Sequence, residues 1–189
     1  MASDFIYILS TLPLLKFDGT GAVGYGKFLD GVSGMLNDRE RGLLEKLTLR
    51  DAENADRDTP ALRKWDAWMG MMINISAMWR GQRRKKEFSS DIVPAREVSP
   101  ADASRFEAIL QLPGIAEKQD AFEELQWNCL EELSCQEGFT FDALVLYALK
   151  LRLLEDRSRR GVEAGKAAFE KLVEERLAEA DKNRISVEE

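Results

Sequence analysis

The amino-acid sequence predicts an all-α protein, a bundle of about six to seven helices in two packed lobes. Two features carry that prediction. Apolar residues recur at three- and four-residue spacing along most of the 189-residue chain, so each such segment can bury one helical face. Side chains able to accept from the free N–H groups of a helix start also stand just before several of these runs. Strand-like patterning is confined to residues 1–17, where FIYIL fits either a strand or the start of a buried helix.

The helices follow in order. Residues 25–36 carry the first clear periodic run, and a second over 38–49 opens on Asn37 with Glu40 three positions later, the spacing of a capping box. Thr59-Pro60 and Ser99-Pro100 each set a capping side chain before a proline that suits the first helical position, giving helices over 60–86 and 100–111. In the first of these, Leu62, Trp65, Met69, Met72, Ser76 and Trp79 share a face. A helix over 115–136 places Phe122, Leu125, Cys129 and Leu133 on its core side, with its glutamate pairs largely off that side. Thr140, between Phe139 and Leu144 in the positions of a hydrophobic staple, opens a helix over 141–159. A last run over 162–180 is marked by Phe169, Leu172, Val173 and Leu177. Over residues 87–100, EFSSDIVPAREVSP, two prolines, three serines and weak periodicity read as a linker. The expected organisation is therefore an N-terminal lobe over 1–88, a linker over 89–98 and a C-terminal lobe over 99–189, packed as one unit.

Composition narrows the chemistry. Twenty-seven basic against 34 acidic side chains leave a net charge of −7, whereas nucleic-acid-binding domains usually carry a basic surplus. The chain contains no histidine, which removes the commonest neutral-pH general base and metal ligand, and with it histidine-dependent triads and zinc sites. Cys129 and Cys135 fit neither a metal spacing nor a disulfide framework and read as buried, reduced thiols. The opening apolar run carries Asp4 and no preceding basic residue, so no signal peptide is expected, and the most apolar window, 65–79, is too short to cross a bilayer. A cytoplasmic protein is the resulting expectation.

The remaining motifs are weighed by what their chemistry needs. Residues 19–24 spell G-x-G-x-x-G, but a dinucleotide site also needs flanking strands and a helix N-terminus for the pyrophosphate, so a glycine-rich loop and no bound cofactor are expected. Glu123/Glu124, Glu131/Glu132 and Glu174/Glu175 with Glu179 give the one enzymatic alternative, carboxylate-held magnesium in a helical nucleotide hydrolase, against solvated helix faces. WDAWMGMMINISAMW suits a core or an adaptable interface. Directly after it, Arg80, Arg83, Arg84, Lys85 and Lys86 concentrate more positive charge than a helix C-terminus can use, and point to an acidic partner surface.

Three segments together, FIYILSTLPLLKFD, the WDAW run into its arginine-rich helix end, and FTFDALVLYALKLRLLEDRSRRGVEAGKAAFEKLV, resemble a bacterial family encoded among the subunits of V/A-type ATPases. That family is similar to the socket subunit of the V-type ATPase central stalk, designated C in bacteria and d in eukaryotes, an all-helical protein between the rotating shaft and the membrane rotor ring. The resemblance implies a non-catalytic, socket-like adaptor in ATP-coupled proton or sodium transport, with central-stalk and rotor-ring subunits as partners, peripheral on the cytoplasmic side. A transient assembly or regulatory factor of the same ATPase is the alternative within that family; the magnesium-dependent hydrolase is the alternative outside it.

Overall fold

The computed structural model describes residues 3–19, 22–49, 59–83 and 99–160. Among these there are seven α-helices and no strand: α1 (Ser3–Thr11), α2 (Tyr25–Val32) with a 3-10 turn at Ser33–Met35, α3 (Asp38–Glu45), α4 (Pro60–Arg83), α5 (Pro100–Gln111), α6 (Ile115–Gln136) and α7 (Phe141–Arg159). The all-α class is as the periodicity predicts. FIYIL lies in α1 and is helical. The expected helix over 162–180 and the expected linker over 89–98 lie outside the described residues.

Local chemistry starts these helices. Asn37 and Glu40 form the full capping box: Asn37 Oδ1 accepts from the Glu40 N–H at 2.9 Å, and Glu40 Oε2 accepts from the Asn37 N–H at 3.0 Å. The Thr59 hydroxyl accepts from the Leu62 N–H at 3.3 Å, and the Thr140 hydroxyl from the Ala143 N–H at 3.3 Å. Ser99 departs from expectation, because its side chain makes no cap bond. The Asp102 N–H, three residues on, donates to the Ser99 backbone carbonyl instead, at 3.1 Å, and Pro100 presets the first helical φ. The staple is also lopsided, since Leu144 is fully buried while Phe139 stands 56% exposed. The helix over 38–49 ends early, at Glu45, and Leu47 is buried beyond it.

Contacts divide the chain into a unit over Met1–Leu153 and another over Leu154–Glu189. In the first, α7 is the central helix: Leu144, Val145, Leu146, Ala148, Leu149 and Leu151 are all fully buried, so it is apolar around most of its circumference. Each of these leucines and the valine contributes roughly 1.5–3 kcal/mol by leaving water. Polar tips close the surrounding packing. Tyr147 donates to the Pro13 carbonyl at 3.0 Å, the Arg152 Nε donates to the Leu47 carbonyl at 3.1 Å, and the Arg152 guanidinium lies 3.5 Å from the centre of the Tyr25 ring. Lys150, almost fully buried, reaches Glu131 at 2.9 Å. In the second unit, the described residues are 154–160, the C-terminal end of α7 and Arg160, where Arg159 meets Glu155 at 3.8 Å.

Within the first unit α4 packs on α5, and α5 on α6. A file of aromatic rings ties the three together. Trp65 stacks on Trp68 at 5.4 Å between centroids, Trp68 lies parallel to Phe122 at 6.4 Å, and Phe122 meets Phe106 at 5.1 Å. The indole N–H of Trp68 donates to Asp102 on α5 at 3.1 Å. Trp65 and Trp68 are thus core residues, and α4, α5 and α6 are held as one piece with a concavity between them.

Candidate partner-binding groove

Between α4, α5 and α6 lies an open, largely apolar groove with a volume of about 750 Å³. On α4 it is bordered by Asp66, Gly70, Ile73, Ala77 and Arg80, whose spacing of four, three, four and three residues is one continuous helical stripe. At about 1.5 Å per residue that side runs for about 21 Å. Met69 and Met72, beside the stripe, turn inward and are buried. Phe106, Ile109 and Leu110 from α5 and Ile115 and Phe122 from α6 complete the apolar lining. Ile73 is 61% and Ile115 87% exposed, so the rims as well as the floor are hydrophobic.

One end of the groove is cationic. Arg80 and Lys118 line it. Trp79 holds the end together: the Arg83 guanidinium sits 4.5 Å and the Lys118 ammonium 5.3 Å from the centre of its ring, an attraction of cation to π-face. Among the described residues no carboxylate lies within ion-pair distance of Arg80, Arg83 or Lys118. The chain is acidic as a whole, yet here it presents positive charge beside an apolar trough.

Of the five expected partner-binding residues, Arg80 and Arg83 are exposed at the end of α4, with Arg80 in the groove and Arg83 against Trp79; Arg84, Lys85 and Lys86 lie outside the described residues. Lys118 joins them without any expectation from the sequence. A single lysine on a mixed helix carries no local signal, and its place between Ile115 and Phe122 on one face is the only clue.

The glycine-rich loop does lead directly into a helix N-terminus, because Gly24 is the N-cap of α2; the expectation that it lacks one is corrected. The residues before it, 12–17, form no strand, and Gly19 adopts a left-handed φ of 84°, a turn conformation that favours glycine; Thr20 and Gly21 lie outside the described residues. The glutamates of α6 are not all solvated. Glu123 is 2% exposed and accepts from the Gln119 side-chain amide at 2.8 Å, and Glu131 is engaged by Lys150. The buried face of α6 is wider than the stripe through Phe122, Leu125, Cys129 and Leu133, since Gln126, Trp127 and Leu130 are buried too. Glu174, Glu175 and Glu179 lie outside the described residues.

Cys129 is buried and Cys135 exposed, both free. The expectation of two buried thiols fails at Cys135 because six residues turn a helix by about 240°, off the core face. Burial, reinforced by the nearby charges of Asp102 and Glu132, pushes the Cys129 thiol up to about 12, so it stays protonated and unreactive at neutral pH. A second cavity, of about 370 Å³, lies where the starts of α3, α4 and α7 converge. Asn37, Thr59 and Thr140 there already accept from their own helices, and Glu40 and Asp142 supply negative charge at the same helix ends. Among the described residues no group of three or more cysteine, aspartate or glutamate side chains is placed to hold a metal ion, and no helix is long and apolar enough to cross a membrane.

No family model, no curated protein and no solved structure matches this chain.

Proposed function

We propose that this protein is a non-catalytic, socket-like adaptor of a V/A-type rotary ATPase, joining the central shaft to the membrane rotor ring on its cytoplasmic side. The observation that carries the reading is the groove of α4, α5 and α6, whose apolar lining ends in Arg80, Arg83 and Lys118. A trough of this kind is suited to holding another protein through hydrophobic contact, with charge fixing the orientation. The resemblance of FIYILSTLPLLKFD, the WDAW segment and FTFDALVLYALKLRLLEDRSRRGVEAGKAAFEKLV to the ATPase-associated family supplies the partner class. The aromatic file that locks α4 to α5 and α6 suits a mechanical role, since an element that transmits torque must not yield at its own joints.

The test is recovery of partners from membranes that contain the native complex. Tagged wild-type protein is expected to bring down central-stalk and rotor-ring subunits in stoichiometric amounts, and an Arg80→Glu/Arg83→Glu variant to recover less at low salt while melting within a few degrees of wild type, because exposed charges contribute only about 0–1 kcal/mol each to folding. Presence only in sub-stoichiometric assembly intermediates would shift the reading to an assembly factor. Failure to recover any part of the ATPase, or magnesium-dependent hydrolysis of a nucleotide panel, would overturn it.

A further inference from the structure

We infer that the α4–α5–α6 groove is a docking site for one amphipathic α-helix of about four turns, with a carboxylate at the end that lies on Arg80 and Lys118. The inference rests on the adaptor reading for its biological setting, but the groove's own geometry carries it. Length comes first. The α4 border from Asp66 to Arg80 spans about 21 Å, which matches about 14 residues of helix. The rims favour a wider occupant: Ile73 and Ile115 are exposed, and a helix about 10 Å across presents more apolar surface to cover them than an acyl chain does.

Small residues make room for a helix backbone. Gly70, Ser76 and Ala77 lie along the α4 side, and a Cβ built on Gly70 meets no atom within 4 Å. The open space at Gly70 faces the trough, so a knob from a partner helix can settle there. Recognition uses apolar anchors at three- and four-residue spacing, the usual mode of helix-in-groove binding. Charge sets the direction. Arg80 and Lys118, with Arg83 beside them on Trp79, stand without a carboxylate among the described residues, and glutamates in the last turn of the partner, together with the negative end of its helix dipole, complement them. An incoming helix with basic residues at that end is repelled.

The probe is a fluorescein-labelled peptide of about 14 residues, with leucines on one helical face, alanine and glutamine on the other, and two glutamates in its last turn. Its binding to the full chain is followed by fluorescence anisotropy. Micromolar binding is expected, with at least about tenfold weaker binding of a lysine-for-glutamate peptide at low salt. A scrambled peptide of the same composition should not bind. Gly70→Leu is expected to abolish binding and leave the thermal melt unchanged or raised, because the new side chain fills the trough and removes a helix-interior glycine. An Arg80→Glu/Lys118→Glu variant should prefer the lysine peptide. The inference is overturned if the scrambled peptide binds equally, if Gly70→Leu still binds, if the charge preference does not reverse, or if oleate binds where the peptide does not. It is also overturned if wild type alone is a dimer that Gly70→Leu converts to monomer, for then a second copy is the occupant. Recovery of ATPase subunits by Gly70→Leu as well as by wild type would show that the groove is not the ATPase contact and leave the adaptor reading on the sequence resemblance alone; peptide binding without any ATPase recovery would overturn the adaptor reading and leave the groove as a helix-docking site.

Discussion

Cys129 and Cys135 sit six residues apart on one helix, and their surroundings give them opposite chemistry. Cys135 is exposed, while Cys129 is buried with a thiol pushed up to about 12. Because the thiolate is the nucleophile, an aromatic disulfide reagent at pH 8 should modify one thiol per native chain rapidly, and the second only when denaturant opens the core. Fast reaction of both in the native protein would contradict the placement of Cys129. Gly70 offers a second test on a single side chain. It lies in the interior of α4 with open space where a Cβ would go, so Gly70→Ala should stabilise by about 0.5–1 kcal/mol through helix propensity alone. A loss of melting temperature would mean that the position is more crowded than its geometry indicates.

Helix ends show what a sequence can and cannot reveal. The capping side chains of Asn37, Thr59 and Thr140 act within four residues of themselves, so their pattern is legible in one dimension. Ser99 has the same pattern and makes no such bond, because the Asp102 N–H that it would cap donates to the Ser99 backbone carbonyl instead, at 3.1 Å. Asn37→Ala should therefore cost about 1 kcal/mol in urea unfolding, and Ser99→Ala less than about 0.5 kcal/mol; equal losses would show that the two helix starts rely on their caps alike. The α4 face through Leu62, Trp65, Met69 and Met72 is equally legible, since periodicity is local. The burial of Glu123 is not, because it depends on how α6 meets its neighbours rather than on spacing within α6. The groove lies further still from the sequence. Arg80 and Arg83 advertise themselves within a basic run, but that Lys118 joins them at Trp79 follows only once α4, α5 and α6 have packed.

Across the whole molecule, a buried thiol and a half-buried phenol make stability depend on pH in a predictable direction. Burial raises the Cys129 thiol from 9.0 to about 12 and the Tyr147 phenol from 10.0 to about 12; Tyr147 also donates its proton to the Pro13 carbonyl. Below pH 9 both groups are neutral in the folded and the unfolded chain, and their contribution is fully present. Above that, the unfolded chain releases first the thiol proton and then the phenol proton while the folded chain keeps both, so the unfolded state binds fewer protons and stability falls as pH rises toward 12. For Cys129 alone the loss by pH 12 is on the order of 4 kcal/mol, and between pH 8 and pH 10.5 about 2 kcal/mol. Other alkaline effects, such as the discharge of lysines, act on every variant alike, so the comparison that isolates this linkage is between wild type and Cys129→Ala. The alanine variant starts less stable at pH 8 because it leaves a small cavity, yet its urea midpoint should fall less steeply between pH 8 and 10.5, and Cys129→Ala/Tyr147→Phe less steeply still. Parallel declines in all three proteins would show that neither proton is held by the fold.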